Sequence, residues 1–202
     1  MKKSLVAAIV AGGLALMAAT SSNAATATYV LNVGQDASWT GTWGAVTLTE
    51  NGANEVDVKV DLFGGTQFVD TGGPHTAFVF NLANSAGAVV TITNPSTGFW
   101  NYANEPANQT PYGLFSNGIG CCGNGASNAQ PSPLEFKVTR STGISLSSFA
   151  ANSAGYRFSA DVFSGYTGLT GNVAAVPEPE PSAMVWTGLG LLGLIAGRRK
   201  QP

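Results

Sequence analysis

The chain has 202 residues, of which 44% are hydrophobic and only 10% are charged, and its formal net charge is −2. Positive charge is concentrated at the two ends, so residues 25–175 hold nine acidic and four basic side chains, a net charge of about −5. Binding to nucleic acid depends on clustered Lys and Arg that displace counterions from phosphate groups. The charge distribution therefore excludes a nucleic-acid partner for this central region.

The first 24 residues have the organisation of a secretory signal peptide. Lys2 and Lys3 form a positively charged start, and residues 5–19 are an uncharged apolar stretch that is too short for an ordinary membrane span. Ser22-Asn23-Ala24 then supplies small residues at the positions that a signal peptidase selects. We expect cleavage after this triplet and export of the mature protein, with an uncleaved membrane anchor as the alternative.

Alternating hydrophobic and polar residues dominate the central region, which is rich in Gly, Asn, Ser and Thr and lacks sustained helical periodicity. Between Glu55 and Phe63, valines alternate with charged residues, the period-two pattern of a strand with one buried face. Similar alternation predicts strands near Leu134 and Tyr156, each with one solvated face. The predicted strands cover residues 28–33, 45–50, 55–63, 76–82, 89–93, 134–138 and 156–162.

Turn-forming pairs such as Asn51-Gly52 and Gly64-Gly65 separate these strands, and no helical segment intervenes. About seven to nine short strands of this kind predict an all-β fold, an antiparallel sandwich of jelly-roll type. An up-and-down barrel is a weaker prediction, because residues 95–133 contain five prolines and are expected to be too irregular for strand pairing. We expect one folded domain over residues 25–175.

The irregular segment carries a group of aromatic side chains. Phe99, Trp100, Tyr102 and Tyr112 lie there among Asn and Gln residues, and Phe115 follows them. Aromatic rings can stack on sugar rings while amides bond the sugar hydroxyls. The pattern suits a carbohydrate-binding surface, but aromatic side chains are more often buried than ligand-facing, which favours the alternative that they close one end of the sandwich core.

Cys121 and Cys122 are adjacent and are the only cysteines of the sequence. In an oxidising compartment they are expected to bond to each other or to another chain, and a bond between neighbours is expected to be easy to reduce. His75 is the only histidine and lies far from them in sequence, so neither a metal site nor a cofactor is predicted. A nucleophile would need a nearby base, and His75 is interpreted as a turn residue, so we expect no catalytic residues and no enzymatic activity.

The last 27 residues have three parts. Val176-Pro177-Glu178-Pro179 opens a proline-rich stretch that must be extended and accessible, because proline fixes its own φ and disfavours helix before it. The apolar run 183–197 corresponds to roughly 22 Å of helix, short for a bilayer core of about 30 Å. Arg198, Arg199 and Lys200 form a cluster that stays cytoplasmic. We expect a single C-terminal transmembrane helix, with the domain on the outer side of the membrane.

This tail resembles the PEP-CTERM sorting signal of Gram-negative bacteria. The Val176-Pro177-Glu178-Pro179 motif, the glycines at 188, 190 and 193, and the Arg198-Arg199 pair occupy the corresponding places, and the resemblance covers roughly one eighth of the chain. It implies processing by exosortase, a membrane enzyme similar to cysteine transpeptidases. It also implies transient anchoring in the inner membrane, followed by display at the cell surface or release.

Together, these features predict an exported structural or adhesive protein associated with exopolysaccharide or biofilm. One alternative is a carbohydrate-binding module that uses the aromatic residues between 99 and 115. Another is a hydrolase whose site is not visible in the sequence.

Overall fold

A computed structural model describes residues 24–73, 75–93, 98–102, 105–123 and 125–176. The predicted signal peptide up to residue 23, the apolar run 183–197 and the basic cluster lie outside the described residues, as does the sorting motif apart from Val176. Within the described ranges, no helix has the length and apolar character needed to cross a membrane.

The described residues contain fourteen strands, and every pair between strands is antiparallel. The strands are β1 (Thr26–Leu31), β2 (Val33–Gly34), β3 (Gly44–Glu50), β4 (Glu55–Leu62), β5 (Gln67–Phe68), β6 (Phe78–Phe80), β7 (Ala88–Ile92), β8 (Phe99–Asn101), β9 (Ala107–Gln109), β10 (Gly113–Phe115), β11 (Asn117–Cys121), β12 (Leu134–Arg140), β13 (Phe158–Phe163) and β14 (Thr170–Ala175). Two short 3-10 helices, Ala126–Asn128 and Leu146–Ser148, accompany them. This confirms the predicted all-β class.

Two sheets form the body of the fold. The first has the strand order β1-β3-β4-β12-β7, and the second has the order β2-β14-β13-β6-β11-β8, with β5 also paired to β13. The two sheets share one hydrophobic core, in which Phe136 of the first sheet contacts Phe78 and Phe80 of the second, with ring centroids 5.9 and 5.3 Å away. The predicted antiparallel sandwich is therefore confirmed.

Strand β4 shows why the alternation of the sequence was informative. Val56, Val58 and Val60 are buried in the core, whereas Asp57 and Lys59 between them are exposed. Burying each valine side chain stabilises the fold by about 1.5 to 3 kcal/mol, so the register of this strand is strongly fixed.

The predicted solvated face of β13 is wrong. Ser159 and Asp161 are fully buried, although the alternation of the strand turns them away from the aromatic core. The hydroxyl of Ser159 donates to the carbonyl of Val173 on the neighbouring strand, at 2.8 Å. These polar residues are buried because a third layer of chain covers the outer face of the second sheet.

This third layer consists of the hairpin β9–β10 and of residues 69–73 and 75–77, which are called the 69–77 loop below. Tyr112 and Phe115 of the hairpin segment form a second buried cluster with Val79 and Ala174, which lie on the outer face of the sheet. Both faces of the second sheet are therefore buried over much of their area. One face packs against the first sheet and the other against the third layer.

The prediction that residues 95–133 are too irregular for strand pairing is also wrong. Strands β8, β9, β10 and β11 lie in this segment, and β8 and β11 belong to the second sheet. Strands β8, β9 and β10 have three residues each, too few to show clear alternation. All five residues of β11 are buried, so this strand has no solvated face for the sequence to mark.

Candidate functional site

An open groove with a volume of about 530 Å³ lies where β8, the hairpin segment and the 69–77 loop meet. Three stretches of chain and one cysteine line it: Asp70, Gly72, Gly73, His75 and Thr76 of the loop, Trp100 and Tyr102 at β8, Glu105, Pro106, Ala107 and Asn108 at the start of the hairpin, and Cys122. The groove combines exposed aromatic rings with carboxylates and an imidazole.

Trp100 and Tyr102 form an aromatic platform in this groove. Their side chains are 44% and 36% exposed, and their ring centroids lie 6.4 Å apart. Beneath the rings lies Gly120, which pairs with Trp100 across β8 and β11. A Cβ at Gly120 would come within 2.6 Å of Trp100 Nε1 and 2.7 Å of the Tyr102 ring. Glycine therefore lets both rings approach the strand closely, with their planes 68° apart and their exposed parts available to a ligand.

Asp161 fixes the loop that carries Asp70 and His75. Its carbonyl accepts the N–H of Val69 at 3.0 Å, and its own N–H donates to the carbonyl of Ala77 at 3.2 Å, so both ends of the loop join the sheet at one residue. Its Oδ2 also accepts the backbone N–H and the hydroxyl of Thr71, at 2.8 and 2.7 Å. The backbone of one buried residue thus holds both ends of the loop, and its side chain holds Thr71 between them.

The surroundings of Asp161 also change its acidity. Burial raises the pKa of its carboxyl to about 6, because the charged form loses hydration, while the Thr71 hydrogen bonds oppose this shift. Its Oδ1 is buried and has no hydrogen-bond partner among the described residues. Burial also raises the pKa of Asp70, and the hydrogen bond from the Gly72 N–H opposes that shift.

A chain of amide hydrogen bonds orients His75. The backbone of Thr76 donates its N–H to Gln109 Oε1 and accepts from Gln109 Nε2, at 2.8 and 3.1 Å, which fixes the orientation of that amide. Gln109 Nε2 also donates to Asn172 Oδ1 at 2.9 Å, so the Asn172 amide is oriented in turn. Asn172 Nδ2 then donates to Thr110 O and to His75 Nδ1. A neutral His75 therefore carries its proton on Nε2.

Only two of the four aromatic residues predicted to bind a ligand lie in the groove. Phe99 is half-buried and packs edge-on against Phe68 of the core, with ring centroids 5.4 Å apart. Tyr112 is 1% exposed, and its hydroxyl lies 2.8 Å from the Val33 carbonyl and 3.0 Å from the Asn172 carbonyl. Phe99 and Tyr112 are therefore structural, and Trp100 and Tyr102 remain as binding candidates.

Cys121 and Cys122 are joined by a disulfide in the structure. Cys121 is buried and pairs with Phe99, while Cys122 lines the groove and donates its N–H to the carbonyl of Gly98 at 3.2 Å. The sequence left open a bond to another chain, and here the two neighbours bond to each other. The disulfide lies where β8 and β11 meet, at the edge of the aromatic platform.

Sequence reasoning missed Asp70, Glu105 and the oriented His75 as groove residues. Within the described ranges, no group of three or more His, Cys, Asp and Glu side chains is arranged to hold a metal ion. The groove instead offers stacking surfaces, two carboxylates that accept hydrogen bonds and an imidazole N–H that donates one. Comparison of the chain with protein-family models, curated proteins and solved structures gives no match.

Proposed function

We propose that this protein is an exported surface or extracellular-matrix protein whose β-sandwich domain binds carbohydrate in the groove beside Trp100 and Tyr102. The observation that carries the proposal is the aromatic platform, because two large rings remain exposed although the strand below them is buried. Aromatic rings in a concave site with a few placed polar groups are typical of binding sites for organic ligands. The protein acts by binding, without catalysis.

The polar groups around the platform suit the hydroxyls of a sugar. Asp70 and Glu105 supply acceptors on two different walls, and the Nε2 proton of His75 supplies a donor. A volume of about 530 Å³ suits a short stretch of sugar rings, and the open shape allows a longer chain to pass through. Such a groove fits association with an exopolysaccharide or biofilm matrix.

The test is binding of the mature domain to a glycan array and to exopolysaccharide from its host, with Trp100→Ala and Tyr102→Ala variants. Tyr166→Ala is the matched control, because Tyr166 is 65% exposed but does not line the groove. We expect each groove variant to lose binding by about ten-fold or more, as stacking contributes about 0.5 to 1.5 kcal/mol beyond the area that it buries. Unchanged binding in both variants, or no binding to any glycan by the wild type, would overturn the proposal.

The export and sorting steps are proposed from the two ends of the sequence. The resemblance to PEP-CTERM proteins supports processing by exosortase, with residues 183–197 as a transmembrane helix and Arg198, Arg199 and Lys200 as its cytoplasmic end. One feature of the described residues fits this proposal: β14 ends at Ala175, and the next residue, Val176, is 40% exposed. The sorting motif therefore begins at the surface of the domain, where a membrane enzyme can reach it.

The intact mass and the location of the protein in its host test the sorting proposal. We expect the wild-type protein to lack both the first 24 or so residues and the basic end, and a variant without residues 176–179 to remain in the inner membrane with its tail. A wild-type protein that keeps the apolar run and the basic cluster would show a simple anchor instead.

A jelly-roll connection of the two sheets is also part of the proposal. The chain passes from one sheet to the other between β1 and β2, between β2 and β3, between β4 and β5, between β6 and β7, between β7 and β8, between β11 and β12, and between β12 and β13. Repeated crossing of this kind is a feature of the Greek-key arrangements from which jelly rolls are built.

A further inference from the structure

We infer that the groove is selective for neutral glycans and discriminates against glycans that carry uronate or sulfate groups. This inference rests on the proposed carbohydrate binding and adds the chemical class of the ligand. It follows from the signs and positions of the charges in and around the groove.

The charged side chains of the groove are acidic. Asp70 and Glu105 line two different walls, and no Lys or Arg lines the groove among the described residues. The Asp70 side chain is half-buried in the groove wall, so the field of its carboxylate is less screened than that of an exposed acid. An anionic ligand would meet two like charges and no Lys or Arg side chain to compensate them.

The four basic residues between 25 and 175 are engaged elsewhere. Lys59 and Lys137 pair with acids of the first sheet, Arg140 bonds the carbonyls of Gly143 and Asn84, and Arg157 bonds the Tyr29 hydroxyl and lies over its ring. None of these four lines the groove. A rearrangement of the groove alone would therefore not bring a cation to an anionic sugar.

Hydrogen bonding leads to the same selectivity. Carboxylates only accept hydrogen bonds, so Asp70 and Glu105 match sugar hydroxyls, which can donate them. They do not match the carboxylate or sulfate group of an acidic sugar, because that group cannot donate a hydrogen bond. Trp100 and Tyr102 would contact the C–H face of a ring, which is the same in a hexose and in the corresponding uronic acid. The aromatic platform and the Nε2 proton of His75 can contact either ligand, so the two carboxylates decide between them.

The experiment compares polymers that share a backbone and differ only in charge. Polygalacturonate, polymannuronate and polyglucuronate are each titrated into the mature domain beside their carboxyl-reduced, neutral forms, in low salt with EDTA so that no divalent cation bridges two carboxylates. We expect at least one neutral form to bind, with an affinity about ten-fold or more above that of its acidic parent. In the double variant Asp70→Asn, Glu105→Gln, which keeps the shapes of both side chains, this ratio should fall towards one.

The outcomes separate this inference from the proposed function. Equal or tighter binding of an acidic polymer, reduced by Trp100→Ala, keeps carbohydrate binding in the groove and overturns the selectivity. Selectivity that persists in the double variant shows that other groups cause it and overturns the assignment to Asp70 and Glu105. Absence of binding to every acidic and neutral polymer overturns both the selectivity and the proposed function.

Discussion

Replacing Asp161 with Asn tests whether one buried carboxyl makes the stability of the domain depend on pH. Asp161 is fully buried and anchors the 69–77 loop, and its pKa is about 6 in the folded chain against an ordinary value of 3.8. Asn keeps an oxygen that can accept the hydrogen bonds of Thr71, and it carries no charge. The substitution therefore removes the titration while preserving the contacts.

The direction of the effect follows from the raised pKa. Below about pH 4 the side chain is protonated in both the folded and the unfolded state, and its favourable contribution is complete. As the pH rises from about 4 to above 6, the unfolded chain releases the proton first, so the folded state loses stability. A difference of about two pKa units corresponds to a loss of about 3 kcal/mol in the free energy of unfolding.

Urea unfolding of the wild type and of Asp161→Asn at steps from pH 3.5 to 7.5 measures this effect. We expect the variant to gain stability relative to the wild type as the pH rises, by up to about 3 kcal/mol across the range. Ser159→Ala is the control, because Ser159 is a buried polar residue of the same strand and does not titrate, so its effect should be equal at every pH. A pH-independent difference between wild type and Asp161→Asn would refute the reasoning.

Three further predictions concern the platform, the hairpin and the cysteines. Gly120→Ala should displace the Trp100 ring, which lies 2.6 Å from the position of the added Cβ, and lower glycan affinity about ten-fold with the fold intact by circular dichroism. Unchanged affinity would contradict the described packing of the ring. In urea unfolding, Tyr112→Phe should lower the free energy of unfolding by about 1 kcal/mol, because the hydrogen bond of the hydroxyl is lost. Tyr112→Ala should lower it by about 3 to 5 kcal/mol, because the buried ring is lost as well. Neither loss would be seen if Tyr112 were exposed. Alkylation of the purified domain without reductant should leave its mass unchanged, because Cys121 and Cys122 are bonded to each other. Alkylation after reduction should modify both cysteines. A dimer on a non-reducing gel would instead indicate a bond between chains.

The sheets of the sandwich could largely be predicted because their strands carry information locally. In β4 and β12 the buried and solvated faces alternate within one strand, so the pattern survives without any knowledge of the neighbours. In β13 it does not, because Asp161 is polar and buried, and its burial depends on a loop about 90 residues earlier in the chain. No local pattern reports such a contact.

The candidate site could be predicted only in part for the same reason. Aromatic composition indicated Trp100, Tyr102 and Tyr112 equally as binding candidates, and only the packing of the hairpin distinguishes the two exposed rings from the buried one. His75 was interpreted from the sequence as a turn residue. Its role in the groove could not be predicted, because its orientation depends on Gln109 and Asn172, which are distant in sequence. Long-range hydrogen bonds of this kind leave no spacing motif to detect.

The amide chain that orients His75 also determines when the groove can become complete. It links the 69–77 loop and the hairpin to Asn172, which belongs to β14, the last of the described strands. In a chain that is made from its N-terminus, His75 can acquire this orientation only when β14 has been added and has paired. A chain truncated before this strand would therefore lack the oriented imidazole of the groove.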